Sequence, residues 1–370
     1  MSPDHKLKEL LSLESVVSAT SPAAEARGDE PFKKIGAGAC GAVFAQDGQS
    51  FVAKLSKSDD HEALWNDYVR HLTFEELFNA YEVDVKIPAC YFFVPNDDPE
   101  FFKQHPRLVE AARHVCSLPT SALLTERIPP LPQATRSLLI DKYCRRRIKA
   151  KVMADHANRD CLVRVYLGST QGKSGAMFFS LRNFKMHLNQ MVDAQLDVEP
   201  MAHGMGTAMA VMHWAAKTDA RDVEFVLGSS AAVYPRTTNA GELQKPEPLT
   251  YTGPPSRRIE DYFCRTTELW VLDFNQVRTM TLDEAGVAQA VDAVKVNDPY
   301  LPKPLQESAI EKQAWDTFAA SYLAASETVL KAEGHNDALA LPHVFLDGLV
   351  EAQRRKQQGG ARTGGDVANI

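Results

Sequence analysis

The sequence predicts an α+β chain of two lobes, β-rich toward the N-terminus and mostly helical beyond it, and three observations carry that prediction. Gly36-Ala37-Gly38-Ala39-Cys40-Gly41-Ala42-Val43-Phe44 sets three glycines at G-x-G-x-x-G spacing, and Val52-Ala53-Lys54-Leu55 follows as a strand bearing a lysine. Apolar residues from Met201 to Trp214 then read as a closely packed helix that delivers Asp219-Ala220-Arg221-Asp222-Val223-Glu224. Finally, Trp270-Val271-Leu272-Asp273-Phe274-Asn275 brings an acid to the end of an apolar strand.

Residues 1–30 read as a lead-in, with Leu7, Leu10, Leu11 and Leu13 at amphipathic spacing before a polar stretch that ends in Gly28-Asp29-Glu30. The N-lobe spans 31–128. Phe32 to Leu55 forms hairpin strands, and His61 to Tyr81 carries Leu64, Tyr68, Leu72 and Leu77 at helical spacing. Glu75 and Glu76 are candidate partners for the lysine, with Glu62 and Asp67 competing. Ala122-Leu123-Leu124-Thr125-Glu126 reads as a buried strand halted by Pro129, Pro130 and Pro132, and it is either a hinge between lobes or a core strand ending in a turn.

The helical C-lobe spans 129–352. Cys161 to Gly168 alternates as a strand, Met177 to Phe179 with Leu181 fits another, and Phe184 to Met191 and Met201 to Trp214 fit helices. His213 reads as a packed histidine. Five prolines mark 229–265 as a loop insertion. Gln306 to Lys331 and a last segment from Val344 return to helical spacing, and 353–370 reads as a disordered tail.

Over the 370 residues, 44% hydrophobic and 24% charged is ordinary for a globular chain, and the net charge of −7 argues against a general basic coat for DNA. Six cysteines are scattered without C-x-x-C pairs or zinc-spaced histidines, which points to reduced thiols and no metal finger. The N-terminus lacks the order of a signal peptide, and no apolar run has bilayer length, so a cytoplasmic protein without membrane contact is expected.

The ordered set resembles the phosphate-handling parts of the protein-kinase fold. That resemblance implies that Gly36, Gly38 and Gly41 cradle phosphate, Lys54 neutralises it, and Asp273 stands where a D-F-G acid holds metal, which makes magnesium a possible cofactor. The departures matter. No H-R pair precedes Asp219, Glu224 stands where an amide is usual, and Asn275 replaces the D-F-G glycine. On this pattern Asp219, Asp222 and Glu224 are the candidate catalytic carboxylates.

Beyond the proline cluster lies the most basic run of the chain. Lys142, Arg145, Arg146, Arg147, Lys149 and Lys151 place six cations in ten residues with no acid between, a surface helix or a contact for nucleic-acid phosphates. The strings Leu123-Leu124-Thr125-Glu126-Arg127-Ile128-Pro129, Cys161 to Gly168, Phe179 to Phe184, Met209 to Trp214 and Asp219 to Gly228 are similar to a fungal family labelled as zinc-finger-like domains of unknown function, which includes arginine-containing cyclodipeptide synthases. The similarity implies an aminoacyltransferase of secondary metabolism that joins arginyl-tRNA and a second aminoacyl-tRNA into a cyclo-arginyl diketopiperazine. Arg145, Arg146, Arg147, Lys149 and Lys151 would then hold tRNA, and the carboxylates would move protons and pair with a guanidinium. An ATP- and magnesium-dependent phosphotransferase, or a non-catalytic scaffold, are the competing readings.

Overall fold

A computed structural model describes residues 3–13, 16–18, 30–38, 40–57, 61–176, 178–231 and 264–363. Most of the expected insertion (232–263) and the last residues (364–370) lie outside the described residues. The chain is a mixed α+β structure with a sheet-rich N-terminal region and a helix-rich C-terminal region. The N-terminal sheet and the C-terminal region each have a buried apolar cluster, and Phe74 and Phe78 of the helix spanning 61–80 join the C-terminal one.

The N-terminal region is built on a five-stranded antiparallel sheet in the order β2-β3-β4-β6-β5. β2 (Phe32–Ala37), β3 (Gly41–Gln46) and β4 (Phe51–Ser56) form the expected hairpin strands, and β6 is Ala122–Glu126. Helix α2 (His61–Ala80) connects β4 to the edge strand β5 (Cys90–Val94). Its buried stripe, Asp67, His71, Phe74 and Phe78, follows the three- and four-residue steps that keep side chains on one helix face. Short helices α3 (Pro99–Gln104) and α4 (Pro106–Ala112) close the sheet's core with Phe101, Phe102 and Leu108.

The C-terminal region packs α8 (Glu199–Ala210) against α10 (Ala309–Ala332). Gly206 permits that approach, since a Cβ there would stand 2.1 Å from Ser321 Oγ and 2.5 Å from Phe318 O. Beyond α8 the chain continues through a π turn, Val211–Ala215. The region also holds a five-stranded sheet, in the order β1-β10-β9-β7-β8, within what the sequence presented as mainly helical. Its strands are β1 (Val16–Ser18), β7 (Val163–Tyr166), β8 (Phe184–His187), β9 (Glu224–Ala231) and β10 (Cys264–Leu272).

The lead-in belongs structurally to this second region. Leu7 and Leu11 of α1 (Pro3–Leu11) are buried in its core, and β1 pairs with β10. Three other expectations are corrected. Phe184 to Met191 is not one helix: Phe184, Met186 and Leu188 alternate inward, so β8 forms first and α7 (Leu188–Asp193) follows. Met177 lies outside the described residues, Phe178 and Phe179 are in no strand, and the neighbouring Ala176 makes only an isolated bridge to Cys144. The expected tail is helical to Thr363, as part of α11 (Leu341–Thr363). Five described cysteines are free thiols, and among the described residues no helix is long and apolar enough to cross a membrane.

Candidate functional site

The strand lysine and the acid after β10 meet between the two regions. Lys54 Nζ donates to Asp67 Oδ2 at 2.5 Å and to Asp273 Oδ1 at 2.7 Å. Burial pulls the Lys54 ammonium toward neutrality, but Asp273 and Asp67 overcome it and leave its pKa raised, so the cation persists. The lysine partner is therefore Asp67, not Glu75 or Glu76: Glu75 accepts instead from the Cys90 backbone N–H at 3.0 Å, and Glu76 is exposed. Asp67 Oδ1 also accepts from Phe274 N at 3.0 Å, while Asn66 Nδ2 donates to Val277 O at 2.8 Å. Phe274 packs edge-on against Phe74 and His71, so α2 holds the Asp273-Phe274-Asn275 turn by both backbone and ring.

Across the turn stand Asp222 and Glu224. Asp222 has φ 62° and Asp273 has φ 69°, left-handed conformations that a non-glycine residue holds only where its surroundings enforce them. For Asp222 the enforcer is Asn297, 1% exposed, whose Oδ1 accepts from Asp222 N at 2.5 Å and whose Nδ2 donates to Ala220 O at 2.8 Å. The Asp222 carboxylate accepts from Gln276 Nε2, and burial followed by Asp273 pushes its pKa up. Glu224 opens β9 and pairs with Arg164 of β7 at 2.8 Å. Burial raises the Glu224 carboxyl to about 7; Arg164 opposes the rise, and Asp273 and Asp222 add to it. Arg164 was not visible as a site residue in the sequence, because it sits inside the apolar run Val163-Arg164-Val165.

Asp219 is set apart from this pair. Its carboxylate is 0% exposed and accepts four hydrogen bonds: from Arg221 N at 3.2 Å, Arg278 N at 2.9 Å, Arg278 Nε at 2.6 Å and Gln289 Nε2 at 2.9 Å. Four donors therefore occupy the hydrogen-bonding sites of that carboxylate. Those four bonds make Asp219 a brace for the loop before β9. His213 is packed as expected: fully buried, it meets Tyr322 OH at 2.9 Å through Nδ1, and burial lowers its pKa to about 4.

In the glycine hairpin, Gly41 is the position that demands a missing side chain: a Cβ there would lie 3.0 Å from Leu55 O and 3.3 Å from Lys54 Cγ. Gly38 N donates to Gly41 O at 2.9 Å, so that N–H closes the turn and is not turned outward to phosphate. Gly36 meets only ordinary contacts. At the expected hinge, Glu126 N donates to Ala89 O and Arg127 N to Ser50 O, so both are committed to the protein. The basic run is not one helix: Arg146–Ile148 is a 3-10 turn and α6 begins at Lys149 (Lys149–Ala154). Arg145, Arg146, Arg147 and Lys151 are exposed, while Lys149 pairs with Asp141 at 3.1 Å.

Among the described residues, no group of three or more His, Cys, Asp and Glu side chains could hold a metal ion. The family model DUF3669, described as a zinc finger protein, matches residues 269–334. That span contains neither cysteine nor histidine, so the zinc in the description has no thiolate or imidazole ligands there. No curated protein matches the chain.

Proposed function

We propose that the chain is an aminoacyl-tRNA-dependent cyclodipeptide synthase that takes arginine as one residue and builds a cyclo-arginyl diketopiperazine on a kinase-like two-lobed framework. The sheet order β2-β3-β4-β6-β5, with α2 crossing behind Lys54 and the β9–β10 pair leading into Asp273, supports the framework. The observation that carries the chemistry is Glu224, a mostly buried carboxyl with a pKa of about 7 beside Arg164 and Asp222.

A carboxyl poised there is matched to an α-amine, whose ordinary pKa is about 7.7–8. In the proposed reaction the α-amine of one aminoacyl group attacks the ester carbonyl of the other. A C–N bond forms, the ester C–O bond to the ribose breaks, and Glu224 takes the amine proton and returns it to the leaving ribose oxygen. A second attack, by the remaining α-amine on the remaining ester, closes the ring and releases the second tRNA. Arg164 stabilises the ionised Glu224, and Asp222 offers a carboxylate to a substrate guanidinium. The tRNA ester supplies the activation, so no ATP is consumed.

The phosphotransferase reading is favoured by one observation, the Lys54 link to Asp67 and Asp273. Against it, Asp273 is held by Lys54 and Glu224 by Arg164, so the acids that would bind magnesium are each paired with a cation. The test is incubation of the purified chain with arginyl-tRNA and mixed aminoacyl-tRNAs, mass spectrometry for cyclo-arginyl products, and a Glu224→Gln control. Product that disappears in the control supports the synthase. Magnesium-dependent ATP turnover without product supports the phosphotransferase, and neither activity supports a scaffold.

A further inference from the structure

Between β7 and β8, the described residues 168–176 and 178–183 are pinned at several points. Asn189 Nδ2 donates to Gly172 O and its Oδ1 accepts from Gly172 N, both at 2.9 Å. Gly175 N donates to Tyr143 O at 2.8 Å, Ala176 bridges Cys144, and Leu181 N donates to Asn158 Oδ1 at 2.7 Å. Phe179 turns inward against Phe184, with ring centroids 5.6 Å apart. Phe178 turns the other way and is 90% exposed, the most exposed large apolar side chain among the described residues.

An anchored loop that leaves a phenylalanine in water invites an aromatic partner, and the charge around it narrows the choice. The bridge from Ala176 to Cys144 brings the loop beside exposed Arg145, Arg146 and Arg147. No acid occurs from 161 to 192, a stretch that also carries exposed Lys173 and Lys185. The loop leads into β8, which lies in the same sheet as β9, the strand opened by Glu224.

We infer that this surface is a platform for single-stranded RNA, on which an unpaired base stacks against Phe178 while Arg145, Arg146 and Arg147 contact the flanking phosphates. Aromatic faces accept any base, and arginines supply a salt-sensitive hold on the backbone. The inference rests on the tRNA reading and deepens it, by assigning the contact to an unpaired segment of the RNA in preference to its duplex stems.

The test is fluorescence anisotropy of the full chain with a labelled short single-stranded RNA, a blunt RNA duplex and a whole tRNA over a range of salt. Phe178→Ala is expected to raise the Kd for the single strand roughly tenfold without changing the salt slope, and Phe178→Trp to restore it. The triple change of Arg145, Arg146 and Arg147 to Ala is expected to reduce the slope by about two. Because Phe178 is exposed, its replacement leaves the fold intact, which circular dichroism checks. If Phe178→Ala binds as the parent does while the arginine variant loses RNA, the stacking platform is overturned and the tRNA reading survives. If the parent binds neither the single strand nor tRNA, both fall. Phe178-dependent capture of anionic phospholipid vesicles without RNA binding would overturn the inference in favour of a lipid surface.

Discussion

Asp219 and Glu224 lie five residues apart on one short segment, yet their carboxylates are held in different ways. Asp219 is fully enclosed and accepts from two backbone N–H groups and two side chains, so its charge is answered within the protein. Glu224 has one guanidinium beside it, with Asp273 and Asp222 opposing ionisation. The two carboxylates thus meet different surroundings: Asp219 is 0% exposed among four donors, and Glu224 is 18% exposed beside one guanidinium. The difference teaches that the donors around a carboxylate distinguish a bracing acid from one that burial leaves with a raised pKa.

The comparison is tested hardest at Asp219. Asp219→Ala removes the acceptor for Arg278 and Gln289 and leaves the Arg221 and Arg278 backbone donors unanswered, which is expected to cost about 3–5 kcal/mol in urea unfolding. A variant that keeps its stability and loses only activity would return Asp219 to the catalytic set.

Glu224→Gln is expected to leave the protein folded and lower turnover by about 10²–10⁴. The sign with pH follows from the raised pKa. The folded state holds the Glu224 proton up to about 7, whereas an ordinary glutamate titrates at about 4.5, so its contribution to stability is fully present below that ordinary value and is lost as pH rises through about 7. The Gln variant lacks that loss and should gain stability relative to the parent between pH 5 and 8, while the parent's turnover should rise with pH over the same window as the base form appears. A flat difference in unfolding midpoint across that window would mean that Glu224 is ionised throughout.

Asn297→Ala probes the device that holds Asp222 in its left-handed conformation. It removes two buried hydrogen bonds, and a cost of about 1–3 kcal/mol is expected together with reduced turnover. Substitution of Asp222 by glycine in that background should recover part of the stability, because glycine takes positive φ freely. No recovery would show that Asn297 supports its own helix end, on α9 (Glu284–Asn297), and not the loop.

Much of this was legible in the sequence, and the misses have a common cause. The glycine hairpin, the lysine strand and the helix after it follow from spacing and apolar periodicity, and the structure places them so. Sequence alone leaves Asp67 one of four competing acids because charges normally belong to the wet face of a helix, yet it lies in register with His71, Phe74 and Phe78 on the buried one. Arg164 was hidden for the same reason, as a charge inside a buried strand. A charged residue within a buried stripe was the usable signal, since such a charge persists only with a partner. Asp219 could not be separated from Glu224, because their partners Arg278, Gln289 and Arg164 come from distant parts of the chain.

The smallest expected effect sharpens the same contrast within one helix. Glu76 is exposed on α2, so Glu76→Gln should change stability by no more than about 0.5 kcal/mol. Asp67→Asn, on the face toward Lys54 and Phe274, keeps the shape but removes half of the charge that balances the buried ammonium. Asp273 would remain as the one counter-charge to Lys54, and the raised lysine pKa should fall. Chemical denaturation of the two variants side by side measures this directly. Equal effects would place the lysine partner elsewhere, whereas a loss confined to Asp67→Asn would show that α2 is tied to the Asp273-Phe274-Asn275 turn through one acid, which acts on the lysine and on the Phe274 backbone at once.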